Sequence, residues 1–437
     1  MAGLTLGTST TPPFTSCTLP DRHRCEHAVI VGKTGTGKTH LLESLAMQLA
    51  RKGEGFAFLD FHGDASTALI SRLLELPNAE KRLVVLDPSH PTRSPGVNVL
   101  EAGTEGQRFR KSSELASILR QRWGVDAFGP RTEELLRNSL YTLASGGIPL
   151  TGLPRLLTDP EFRRSLVEVL ANEDIRAYWI DRFEPLSEAM KASFREPLLN
   201  RTTGFLTEPA VRHLLGQASS TINIDDVIGQ RQWLIVRLPK GQLRDHAHTI
   251  GNLVFAQFQF AALAREALPP SARTTFTLLA DEVQNLAEND LETLLTEGRK
   301  FGISVITANQ FWEQLPRELR GCLLSAASHI CFRVSSADAH VLAGELNLER
   351  RQRLALELTA LPRGDAIGRF GPDSVVRFRV PALKPAPILD IERFDELLGR
   401  FTRPRAEIEV ALRREPTTAS TVFRTVSRRQ GEGFHDW

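Results

Sequence analysis

The sequence is poor in the features that would make it a secreted, membrane-spanning or strongly basic protein. It has four cysteines in 437 residues and no C-x-x-C pair among them. That argues against a disulfide framework and suits reduced thiols in a cytosol. Cys17, His23, Cys25 and His27 lie close together, but their spacing fits no zinc pattern, and a metal site there is the minor reading. No run approaches the length of about eighteen apolar residues that a membrane span needs. The N-terminus lacks the charged start and apolar block of a signal peptide. The expectation is a soluble, cytoplasmic protein with no intrinsic span, membrane-associated only through partners. Excess charge of one sign is missing too: 54 Lys and Arg against 52 Asp and Glu leave a formal charge of +2. A nucleic-acid surface would have to be a local patch. No internal repeat is present. A chain of this length can bury a sizeable core and suggests two or three domains.

What is present is organised around Gly32-Lys33-Thr34-Gly35-Thr36-Gly37-Lys38-Thr39, which fits the P-loop pattern G-x-x-x-x-G-K-[ST]. Residues 27–31 are apolar and β-branched, as a buried strand requires, and residues 40–50 have helical apolar spacing. The glycines let backbone N–H groups curl around an anion, and the helix N-terminus adds partial positive charge. Gly32 through Thr39, with His40, form the expected nucleotide-binding set. Lys38 would reach the β- and γ-phosphates of ATP, and the Thr39 hydroxyl would ligate Mg²⁺.

Further apolar strands at 56–60, 82–88 and 232–238 alternate with helical stretches, which indicates a mainly parallel α/β sheet. Asp60, His62 and Asp64 follow the second strand. In an open parallel sheet such residues face the ligand crevice, but they also suit a turn and helix cap; both readings stay open. Between 105 and 220 strand signals vanish and helical periodicity takes over, so this stretch reads as an all-helical insertion domain. Its basic residues Arg108, Arg110, Lys111, Arg120, Arg122, Arg131 and Arg137 either neutralise phosphates or form a solvated face among interleaved acids. The expected organisation is a flexible N-terminal arm at 1–24, an ATPase core at 25–104 and 221–385, the insertion at 105–220, and a C-terminal helix with a disordered tail at 386–437.

The strand at 276–280 ends in Asp281-Glu282, the Walker B pattern. Asp281 would hold the Mg²⁺ shell and Glu282 would act as general base on water. A helix then ends in Arg299-Lys300, and a buried strand at 302–308 ends at Asn309-Gln310. Gln310 can sense the γ-phosphate or orient water; the alternative is a turn residue. Arg299 sits where an arginine could reach a neighbour's site; the alternative is a cation favoured by the helix dipole. Arg333 reads as a strand residue rather than a sensor. Residues 365–370 and 374–380 read as a hairpin turning at 371–373.

Three segments in register carry a resemblance: Ala280-Asp281-Glu282-Val283-Gln284-Asn285, Glu297-Gly298-Arg299-Lys300-Phe301-Gly302 and Ala308-Asn309-Gln310-Phe311. They look like the HerA/FtsK superfamily, and within it the TraG/TraD-like coupling ATPases of type IV secretion and conjugation. Phe61-His62-Gly63-Asp64, Gly129-Pro130-Arg131 and Leu198-Leu199-Asn200-Arg201 are also similar to that branch. The resemblance covers about 27–380 and implies a RecA-like core, a hexameric ring, DNA as the moved substrate, Arg299 as the trans arginine and Gln310 as γ-phosphate sensor. Membrane-bound coupling proteins carry transmembrane helices ahead of the P-loop, where this chain has a short polar arm. That moves the expectation towards a soluble HerA-like translocase or a soluble coupling factor. Secretion or DNA-processing proteins would be its partners. Two alternatives remain: an ATPase energising protein secretion, and a small-molecule P-loop kinase.

Overall fold

The computed structural model describes residues 3–123, 129–285, 288–313, 315–371 and 375–413. The chain divides into two units, Met1–Asp87 with Asn223–Arg400 and Pro88–Ile222 with Phe401–Trp437.

The strands, numbered along the whole chain, are β1 (Gly3–Ser9), β2 (Ser16–Pro20), β3 (Ala28–Val31), β4 (Gly55–Asp60), β5 (Leu83–Leu86), β6 (Arg93–Ser94), β7 (Trp233–Arg237), β8 (Phe276–Ala280), β9 (Ile303–Asn309), β10 (Ser328–Cys331), β11 (Asp365–Phe370), β12 (Val376–Arg379) and β13 (Arg403–Pro404). All but β6 and β13 form one eleven-stranded sheet in the first unit, in the order β2-β1-β12-β11-β10-β3-β9-β8-β4-β7-β5. From β10 to β5 every pairing is parallel. From β2 to β10 every pairing is antiparallel. Strands β3, β4, β5, β8 and β9 are buried along their whole length. Strands covered on both faces read as continuous apolar runs rather than alternating ones. The core is the RecA-like P-loop fold: a mostly parallel sheet with connecting helices.

The N-terminal segment is not the flexible arm that its Thr, Ser and Pro content predicts. Strands β1 and β2 pair antiparallel, and Thr8 and Ser9 lie opposite Arg379 and Phe378 of β12. Leu4, Leu6 and Leu19 are fully buried. The polar, proline-containing stretch is only the loop between two strands. Apolar residues at alternate positions supply the buried face, and the partner strand β12 is more than 350 residues away in the chain, beyond the reach of local composition. The hairpin of β11 and β12 is present; residues 372–374 of its turn lie outside the described residues, as does the tail read as disordered.

In the second unit the helices include Glu105–Trp123, Pro130–Ser145, Pro160–Val167, Glu188–Leu206 and Arg405–Arg413. Asp159 and Ser187 cap two of them by accepting from backbone N–H groups, which satisfies donors the first turn leaves open. Trp179 is buried and donates Nε1–H to Thr142 Oγ1 at 2.9 Å. The buried Arg163 pairs with Glu184 at 2.7 Å over the Phe183 ring. Three of the basic residues singled out from the sequence are engaged within the unit: Arg120 with Glu133 at 3.1 Å, Lys111 with the Glu101 carbonyl at 2.6 Å, and Arg131 over the Phe194 ring.

Candidate active site

The P-loop leaves β3 at the C-terminal ends of the parallel strands, the side of an open α/β sheet where ligands bind. Gly35 and Gly37 have φ of 74° and 122°, which only glycine adopts cheaply. A Cβ on Gly32 would lie 2.6 Å from Phe332 Cβ and 2.9 Å from Thr36 Oγ1, so the loop is pressed against its support. Lys33 N–H donates to Arg333 O at 2.8 Å, and Gly364 N–H donates to Thr36 O at 2.9 Å. Thr36 Oγ1 donates to Lys33 O at 2.7 Å. These ties hold a concave loop whose helix, Lys38–Arg51, starts at Lys38. Lys33, Thr34 and Gly35 are exposed at its rim, and His40 is exposed on the first helical turn.

Lys38 is buried, with Nζ donating to Gly32 O at 2.6 Å and Lys33 O at 3.1 Å. Burial pushes its pKa down, opposed by the charges of Asp281 and Glu282. Thr39 Oγ1 donates to Asp281 Oδ2 at 2.8 Å, so the two residues expected to share Mg²⁺ meet across the site. Burial pushes the Asp281 carboxyl up, and the Thr39 hydrogen bond works against it. The donor set suits a hard cation: a hydroxyl and a carboxylate at the mouth of a phosphate loop.

Glu282 is buried and has φ of 60°, a left-handed backbone uncommon for such a residue. Its Oε1 accepts from Gln310 Nε2 and its Oε2 from Gln284 Nε2. Gln310 Oε1 in turn accepts from Thr34 Oγ1 at 2.8 Å. The sheet order explains this bridge. Strand β9 lies between β3 and β8, with Asn309 opposite Val31 and Thr307 opposite Ala280. The residue after β9 therefore emerges between the P-loop and the Walker B carboxylates.

Asp60 holds the turn and caps the helix, and its charge also acts on Asp281. Its oxygens accept from His62 N–H and Ser66 N–H, both at 2.8 Å. His62 does face the site, with Nε2 3.7 Å from Glu282 Oε1. Two groups near Glu282 were given no role from the sequence. Gln284 is one; the other is Lys240, whose pKa burial lowers and the Glu282 charge raises. Each follows the C-terminal end of a parallel strand, the signal that could have found them.

Arg299 is not brought to this site. It lies on the turn Gly298–Phe301, ahead of β9, and pairs with Glu26 at 2.8 Å. The seven residues of β9 separate that turn from Gln310, about 20 Å at strand rise.

No protein-family model matches the chain. It is similar in sequence to the type 4 coupling protein DotL of Legionella pneumophila, 22% identical over 342 residues. That match takes in 65% of this chain and spans 43% of DotL, less than half its length. Among solved structures it is similar to the plasmid coupling protein TrwB bound to a non-hydrolysable ATP analogue, with TM-score 0.58 and 19% identity over 84% of this chain and 88% of that one. TrwB has also been solved with ADP and Mg²⁺. VirB4 of Thermoanaerobacter pseudethanolicus is similar at TM-score 0.57 and 15% identity, over 87% of this chain and 97% of that one. These likenesses establish the fold. Among the described residues no helix is long and apolar enough to cross a membrane.

Proposed function

We propose that this chain is the subunit of an ATP-hydrolysing ring, a hexamer, that drives DNA through its centre. The observation that carries the reading is the bridge from Thr34 through Gln310 to Glu282, beside the Thr39–Asp281 contact. The P-loop N–H groups and Lys38 would bind the β- and γ-phosphates of ATP. Mg²⁺ held by Thr39 and Asp281 would neutralise charge on the phosphate oxygens. Glu282 takes the proton of the attacking water, and Gln310 orients that water and registers the γ-phosphate. A small-molecule kinase would instead need an acceptor pocket, whereas a carboxylate clasped beside an amide suits water as nucleophile.

Arg299 would complete the site of the neighbouring subunit, where a cation stabilises charge spreading over the transferred phosphoryl group. Its distance from its own P-loop supports this assignment. The likeness to coupling proteins supports DNA as the moved substrate, with secretion or DNA-processing proteins as partners. The enzyme would act in the cytoplasm and reach a membrane through those partners.

The test is the ATPase rate with single- and double-stranded DNA at low salt, with particle size measured in parallel. DNA stimulation together with a ring is expected. If neither strand form raises the rate, the DNA reading fails and a motor for protein substrates takes its place. A monomer under every condition sinks the ring.

A further inference from the structure

Arg299 is held by a carboxylate from the segment that leads into the P-loop strand. Its Nη1 lies 2.8 Å from Glu26 Oε1. The second oxygen of Glu26 lies 2.6 Å from His23 Nδ1, and His23 Nε2 accepts from Arg22 Nε at 2.9 Å. With Nε2 accepting, the ring proton sits on Nδ1 and is donated to Glu26. Both oxygens of Glu26 are engaged, so the carboxylate cannot rotate without losing one partner.

The backbone around Glu26 is fixed as well. Ala327 N–H donates to Glu26 O at 2.9 Å, just ahead of β10. Ser304 Oγ donates to Arg24 O at 2.8 Å, and Val305 N–H donates to His27 Nδ1 at 3.1 Å, both from β9. Glu26 therefore stands on the N-terminal ends of the central strands. Arg299 is the exposed member of the pair: its side chain is 66% exposed against 22% for Glu26. A long exposed arginine samples many rotamers, and one fixed anion at its head selects among them. A half-exposed ion pair adds little to fold stability, so the effect of this one belongs in the direction of the guanidinium.

We infer that Glu26 is the positioning residue of Arg299, presenting the guanidinium from the rim of one subunit to the nucleotide site of the next. The inference rests on the proposed trans role of Arg299. It also makes Glu26 and Gly32, which flank β3, the two ends of one rigid element. A subunit's own P-loop and the arginine it offers its neighbour are thereby mechanically joined.

The test uses the full chain with Glu26→Ala. The expected result is a fall in kcat of roughly tenfold, a fraction of what removing a trans arginine costs. KM for ATP should change by less than about twofold, because ground-state binding is untouched. Glu26→Gln, which can still accept from Arg299, should recover part of the loss. Mixing Glu26→Ala with Lys38→Ala protein should restore activity, since intact P-loops then meet an Arg299 presented by a normal Glu26. An Arg299→Ala and Lys38→Ala mixture is run beside it. Recovery in that mixture but not with Glu26→Ala overturns the inference and leaves the trans arginine standing; recovery in neither overturns both. A Glu26→Ala protein that no longer binds a fluorescent ATP analogue also overturns it, because the loss is then of the fold.

Discussion

Gln310 donates its amide N–H to Glu282 Oε1 while its amide oxygen accepts from Thr34 Oγ1 at 2.8 Å. One side chain thus joins the P-loop to the carboxylate assigned as general base. Gln310→Ala should lower kcat by roughly a hundredfold, the scale of a lost orienting group. Nucleotide affinity should stay within about threefold, because the phosphate cradle is intact. Steady-state hydrolysis with parallel nucleotide titration measures both. An unchanged kcat would remove Gln310 from the mechanism.

Lys38 and Glu282 should separate binding from chemistry. Lys38→Ala is expected to abolish hydrolysis and weaken ATP binding, since a buried cation leaves the loop. Glu282→Gln should bind ATP normally and not hydrolyse it, because the amide cannot accept the water's proton. Normal turnover in Glu282→Gln would show that another group is the base. Chelation by EDTA should stop the wild-type enzyme, and added Mg²⁺ should restore it.

The N-terminal hairpin should behave as core. Leu6 is fully buried, and Leu6→Ala should cost about 2–4 kcal/mol through lost burial and a residual cavity. The denaturant midpoint reads this directly. No shift would mean that the segment is an arm after all.

His329 should make the fold acid-sensitive. It is buried in β10, and burial pushes its pKa down to about 4 from 6.5. Well above pH 6.5 the ring is neutral in both states and adds no pH dependence. Between 6.5 and 4 the unfolded chain binds the proton and the folded one does not, so stability is lost as pH falls. Going from pH 8 to 5, wild type should lose roughly 2 kcal/mol more than His329→Phe. Denaturant melts of both proteins at the two pH values measure the difference; equal losses would clear His329. His27, also pushed down to about 4 by burial, should act in the same direction.

Much of the candidate site's arrangement was legible because its signals are local. A glycine loop between a strand and a helix needs only its own neighbours in the chain, and so does an apolar strand closed by Asp281 and Glu282. Asp60 could not be resolved this way, since a crevice residue and a cap residue look alike until the backbone N–H groups of His62 and Ser66 are seen on its oxygens. The hairpin of β1 and β2 was missed for a different reason. Its loop composition resembles a disordered segment, while the hairpin is tied to β12 and to Gln48 and Lys52, all distant from it in the chain.

The sequence by itself determined which residues are chemically equipped: a phosphate loop, a hydroxyl and carboxylate suited to a cation, a second carboxylate able to accept a proton, an amide and an arginine. These follow from residue type and short-range spacing. The tertiary structure decided which of them meet. Inserting β9 between β3 and β8 sets Gln310 between Thr34 and Glu282 and sends Arg299 to the opposite rim, onto Glu26. The β3–β9 pairing joins segments more than 270 residues apart, and no local periodicity encodes it.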